Sequence, residues 1–336
     1  MNCFQTLRQL IEKTIVSFSY NSLSKIDEYL FYRCRSLNII NIPECEYIGD
    51  YAFYDCDHLT SVVFPSCSYI GLYAFEYCNG ISTVDFPACS YISDGAFEHC
   101  SNLTSTMFPI CSQIGRYAFN NCSNLSIISF PACRYIGGSA FAHCSNLATI
   151  SFPACIYIGS YAFDHCVALT SVDFPACSNI DDYAFAYCTA LTSVSFPVCI
   201  SIDIGAFYNC TSLTSVSFPA CRGIYGGAFI NCTALTSVDF PACGYIGNRV
   251  FYGCAALTSV SFPVCRYIGE SVFYDCSLLS AIYLRGSYVT SLYNQLVFLH
   301  TPIASGSGHI YVPGSLYSTY ITAPYWSYYS NQIVGI

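Results

Sequence analysis

Eleven prolines stand at positions 43, 65, 87, 109, 131, 153, 175, 197, 219, 241 and 263, each 22 residues after the last. That rule reduces a long chain to one short unit repeated about twelve times. A short unit with apolar columns can bury them only against copies of itself, so the period dictates a stacked solenoid. It specifies the build and names no ligand.

Counted from each proline, a cysteine follows two residues on (Cys45 through Cys265), isoleucine five on (Ile48 through Ile268) and phenylalanine ten on (Phe53 through Phe273). A second cysteine comes thirteen on (Cys56 through Cys276), and leucine sixteen on, replaced once by Ile81. The stretch before each proline alternates apolar and small polar residues, as in Val194-Ser195-Phe196, which reads as a half-buried strand. Proline then ends the strand, because it has no N–H to give a neighbouring rung. The Gly, Ser and Asp residues ahead of Ala-Phe predict a turn and one short helical turn, since 22 residues leave no room for a full helix. The expected fold is a right-handed coil with one short parallel strand per rung and short helical turns on the convex side. Successive strands would be ~4.8 Å apart. Phe163 and Phe174 are expected to be fully buried.

The pattern P-x-x-(apolar)-x-x-I-G-x-x-A-F-x-x-C-x-x-L-x-x-V resembles the BspA-like class of bacterial leucine-rich repeats over about Ser22 to Leu284. The resemblance implies an α/β-type leucine-rich repeat solenoid and surface exposure. Where the family carries leucine two residues after proline, this chain has cysteine. The first unit, which lacks proline, restores Leu23 there, so the cysteines read as small apolar core residues.

Hydrophobic residues make up 54% of the chain and charged ones 9%, far from a disordered composition. No apolar run approaches the ~18 residues of a membrane helix, so membrane insertion is not expected. Net charge is −9, with lysine only at positions 13 and 25 and no basic stripe, which argues against nucleic acid. Of 24 cysteines, all but Cys3 fall in the two columns, which reads as two ladders of buried free thiols. Rung-to-rung disulfides remain open at ~5 Å spacing, whereas columns eleven residues apart suit zinc poorly.

The expected organisation is an N-terminal cap over residues 1–20, a solenoid of about twelve rungs over 21–284 and a C-terminal capping segment over 285–336. In the first, Phe4, Leu7, Leu10 and Ile11 share a helical face, and Thr14 to Tyr20 reads as a strand with Phe18 and Tyr20 inward. That end lacks the apolar segment and cleavage site of a signal peptide. After Leu284 the period breaks, and Trp326 reads as an anchor, with a sugar platform as the alternative.

No catalytic constellation is visible, and no enzyme, cofactor or metal is expected. His99, His143 and His165 share the column before the second cysteine, but no carboxylate column is evident beside them. What remains is surface. Outward strand positions are nearly all Ser or Thr, and tyrosines recur four residues after proline (Tyr47, Tyr69, Tyr91) and eight after it (Tyr51, Tyr73). Tyrosine with Ser, Gly and Asn offers large contact area at low entropy cost. These five are the candidate binding residues, set against rings that merely clad the coil. The expected function is a non-enzymatic binding or adhesion module for a protein or glycan. The alternative is a structural or receptor-binding part of a phage tail or surface filament. By resemblance the expected location is the cell surface, secreted or virion-associated.

Overall fold

The computed structural model describes residues 15–336, so the helical face expected over residues 4–12 lies outside the described residues. The chain divides into two compact units, Met1–Asp173 and Phe174–Ile336. Each is a parallel-strand coil with a rung of roughly 22 residues.

Each regular rung carries two short strands where one was expected. In the first unit, three-residue strands such as Ile39–Asn41 and Ser61–Val63 pair in parallel. Two-residue strands such as Tyr47–Ile48, Tyr69–Ile70 and Tyr91–Ile92 form a second ladder. Register is set by the period: Tyr47 faces Tyr69 and Ile48 faces Ile70. The tyrosine column therefore sits on a strand. Two residues are too few for an alternation to be legible, yet they place isoleucine inward and tyrosine outward.

The segment between Ile48 and Cys56 is a run of tight turns with no helix. Ala52, Tyr54 and Cys56 donate their N–H groups back to Gly49, Tyr51 and Phe53 at 3.3, 3.2 and 3.2 Å. The intervening Tyr51, Phe53 and Asp55 donate to Leu72, Ala74 and Glu76 of the next rung, each at 2.8 Å. A helix would spend every N–H inside the rung and leave none for that ladder. Alternation puts Tyr51 and Asp55 in the left-handed region, at φ 54° and 57°.

The core is two phenylalanine columns. Phe53, Phe75 and Phe97 stack at 4.9 and 5.1 Å, and Phe86 meets Phe97 edge-on at 6.0 Å and 62°. Both geometries are favourable aromatic contacts, adding about 0.5–1.5 kcal/mol per pair beyond area burial. Phe163 and Phe174 are buried as expected. At the first strand, Ser17–Ser19 pairs with Ile39–Asn41, but Tyr20, expected inward, is 52% exposed. A phenol hydroxyl carried into that dry phenylalanine column would have to give up water.

In the second unit the period is lost after Leu284 but the stacking is not. Ser291–Leu292 pairs with Tyr267–Ile268, His309–Val312 with Ala281–Tyr283, and Ile333–Gly335 with the strand starting at His309. Phe298 stacks on Phe273 at 5.6 Å. The segment set apart at 285–336 thus prolongs the coil, and the turns number about 14. Inserted residues between its strands hide the repeat. Trp326 is 1% exposed, and its Nε1 donates to the Thr290 carbonyl at 2.6 Å. It packs on Phe298 and Tyr320 as an anchor, with no face left for a sugar.

Candidate binding surface

The tyrosines singled out in the sequence fall on two neighbouring columns of the first unit. Tyr47 stacks on Tyr69 at 4.9 Å and 6°, and Tyr69 on Tyr91 at 5.8 Å and 9°. Lys25 Nζ lies 5.3 Å over the Tyr47 ring, a cation–π contact at the open end of the stack. In the second column Tyr29, Tyr51 and Tyr73 stack at 5.0 and 5.2 Å. Ring faces inside each stack are thus covered by neighbouring rings, while Tyr91 is followed by Gln113 and Tyr73 by Gly95 in their columns.

All five candidates are half-buried, whereas Tyr117, Tyr135, Tyr161 and Tyr245 are more exposed. An unbroken run of tyrosines covers its own faces, so the longest run is also the best packed. Burial, then the neighbouring Tyr69, pushes the Tyr47 phenol above its ordinary value, and burial does the same for Tyr91. These hydroxyls stay neutral donors at physiological pH.

Two further positions of the repeat are chemically quiet. The outward threonines spend their hydroxyls between rungs, as in Thr104 Oγ1 to the Ser82 carbonyl at 2.9 Å and Thr214 Oγ1 to Thr192 at 2.9 Å. The 23 described cysteines are all buried and outside any disulfide, which matches the sequence reading. They are not merely apolar filler, however. Cys56 Sγ donates to the Phe31 carbonyl at 3.0 Å, and Cys166 to Phe141 at 3.2 Å. In the other column Cys45 and Cys67 donate to Tyr47 and Tyr69, each at 3.2 Å. Burial pushes the Cys67 and Cys155 thiols up to about 12, so no reactive thiolate forms near neutrality.

Two features escaped the sequence reading. In the second unit, Gly205, Gly226 and Gly227 interrupt the side-chain columns. They leave a cavity of about 410 Å³ walled by Tyr183, Tyr208, Arg249 and Glu270. In the first, His143 and His165 stack at 4.9 Å, and Asp164 lies beside them with Oδ2 3.0 Å from His165 Nδ1. The sequence reading found no carboxylate column beside these histidines. Asp164 stands eleven residues after proline, the position that Glu76 and Glu98 hold in other rungs, so the carboxylates next to the histidine column were legible in the sequence and were overlooked. Among the described residues no helix is long and apolar enough to cross a membrane.

A parallel-strand coil of phenylalanine-cored rungs, with chemistry confined to its outer columns, defines a leucine-rich repeat protein. The chain belongs to the BspA-type leucine-rich repeat family. The family model, BspA type Leucine rich repeat region, matches residues 1–126, 112–220 and 178–303. Among solved structures the chain is similar to a leucine-rich repeat protein from Bacteroides ovatus, with TM-score 0.65 and 22% identity over 96% of this chain and 92% of that one. A leucine rich cell surface protein from Faecalibacterium prausnitzii matches with TM-score 0.48 and 24% identity over 82% and 88% of the two chains. At these identities the likeness is one of fold. No curated protein matches the chain. Proteins of this family are generally used for protein binding or adhesion, and the fold is typically non-enzymatic.

Proposed function

We propose that the chain is a non-enzymatic binding module that engages a protein or glycan through the tyrosine stripe of its first unit. Tyr47, Tyr69 and Tyr91 form its centre, and Tyr51 and Tyr73 its flank. The observation carrying this reading is the in-register stack at 4.9 and 5.8 Å, which lines up phenol groups at one per rung. Clustered tyrosines on a rigid ladder can hold most of a binding energy, because little side-chain freedom is lost on contact. With the inner faces covered, recognition runs mainly through hydroxyls and ring edges, which suits a hydroxyl-rich glycan or an extended peptide better than a single stacked sugar ring. A place at the cell surface accords with such a role and is part of the proposal.

The test is an array of glycans and matrix proteins probed with the intact chain, followed by Tyr47→Ser, Tyr69→Ser and Tyr91→Ser combined. Loss of the array signal with an unchanged unfolding midpoint supports the stripe. Normal binding with a lowered midpoint makes the rings cladding and refutes it. Replacing Tyr245 and Tyr267, stacked at 5.3 Å in the second unit, should leave binding largely intact.

A further inference from the structure

We propose that His143, Asp164 and His165 form a surface site for a divalent transition-metal ion. One ligand atom from each of the three lies within 4.8 Å of the others. The two imidazoles come from successive rungs, 22 residues apart, and stack at 4.9 Å with 28° between planes. Backbone geometry holds them there: the His143 N–H donates to the Asp164 carbonyl at 2.8 Å, so the rung carrying one histidine is tied to the residue that precedes the other. Both histidines occupy the left-handed turn position, at φ 60° and 56°, which fixes the roots of both rings on one line along the coil.

The donor set decides the class of ion. Two neutral imidazoles with one carboxylate suit zinc, nickel, cobalt or copper, whereas calcium and magnesium favour all-oxygen sites. Nitrogen and oxygen ligands would sit at about 2.0–2.2 Å from the metal, so neighbouring donors must close to roughly 3.3 Å. The imidazole and carboxylate torsions would have to supply that movement, since the backbone of the two rungs is tied by the His143 N–H to Asp164 carbonyl bond. Asp164 is the constrained member, with its side chain 15% exposed against 41% for His165. It can ligate directly, or hold His165 Nδ1 at 3.0 Å so that Nε2 takes the ion. Three protein ligands leave a coordination position open to water or to a donor from another molecule.

The same turn position in other rungs shows what is absent elsewhere. His99 stacks on Tyr77 at 4.6 Å, so its rung offers one imidazole and not two. The cysteine ladders supply no competing site near neutrality, because the described thiols are buried and hydrogen-bonded to carbonyls.

The probe is Co²⁺, and separately Zn²⁺, titrated into the full chain after chelator treatment. One saturable equivalent is expected, with a Co²⁺ spectrum lacking thiolate charge transfer and with two histidine ring signals shifting in ¹⁵N-detected spectra. His143→Ala and His165→Ala should each abolish the saturable equivalent, and Asp164→Asn should weaken it by about 10–100-fold. His99→Ala should leave it unchanged. Each variant is checked for an unaltered unfolding midpoint without metal. Were a variant's midpoint to fall, His143→Gln and His165→Gln would stand in for it, keeping the size of the side chain without its imidazole. The proposal is overturned by the absence of a saturable equivalent, by thiolate bands, or by binding that survives loss of both histidines.

Discussion

The ring of Tyr73 lies across the α-carbon of Gly95, one rung further on: a Cβ at Gly95 would come within 2.2 Å of Tyr73 Cδ1. Gly95 also sits at φ 64°, the turn position that tyrosine fills in the preceding rung. The pairing recurs at Gly205, where a Cβ would meet Tyr183 Cε1 at 2.4 Å. Where a glycine follows a tyrosine in this column, the ring thus folds over it, whereas Tyr51 stacks on Tyr73. Gly95→Ala should destabilise by about 1–3 kcal/mol, combining left-handed strain with a displaced ring. In the Tyr73→Ser background the cost should shrink towards the strain alone, about 1 kcal/mol. Equal losses in both backgrounds by urea unfolding would show that the ring is not what excludes a side chain.

Phe163 is fully buried and stacks on Phe141 at 5.4 Å. Phe163→Ala should cost about 3–5 kcal/mol, from lost transfer energy and an unfilled space between flat neighbours. Contacts in a coil run between adjacent rungs, so hydrogen exchange should quicken first around that rung and later at a distance. Uniform acceleration across the chain would contradict this.

The thiols should resist labelling in the native protein and react about 24 strong once it is denatured without reductant. A count below half of that would mean crosslinked rungs. A serine hydroxyl at position 166 can reach for the Phe141 carbonyl that the sulfur uses at 3.2 Å. Cys166→Ser should therefore cost about 1 kcal/mol, and Cys166→Val somewhat more, because it removes one of two donors and leaves that carbonyl only the Cys144 N–H at 3.2 Å. A valine variant as stable as the serine one would mean that the thiol contributes volume only.

Glu76 makes stability depend on pH. Burial, and then the charge of Glu98 on the next rung, pushes its carboxyl from 4.5 up to about 7. Between those values the folded protein binds a proton that the unfolded chain has released. Stability is therefore greatest below about 4.5 on this account and declines as pH rises through 7. The side chain is partly solvated, so the cost at pH 8 should be only about 1 kcal/mol. Glu76→Gln should remove it, raising the melting temperature at pH 8 and flattening the profile between pH 5 and 8. A steeper profile in the variant would reverse the assignment.

The sequence by itself determined the period, the inward columns and the fate of the cysteines. Each of these follows from one residue type recurring every 22 positions, and burial of a repeated apolar residue needs no knowledge of its neighbours. The Tyr47–Ile48 strand was beyond it, because two residues carry no readable alternation. So were the left-handed turn positions, which here hold tyrosine, histidine and arginine as readily as asparagine or glycine. The turns past Leu284 were concealed by insertions that shift the spacing without breaking the ladder. The cluster of His143, Asp164 and His165, and the cover that stacked tyrosines give one another, exist only once rungs lie on rungs. Stacking at about 5 Å turns residues 22 apart into nearest neighbours. Which of those neighbours then meet is settled by the direction each side chain leaves the turn, and that direction is a property of the folded coil.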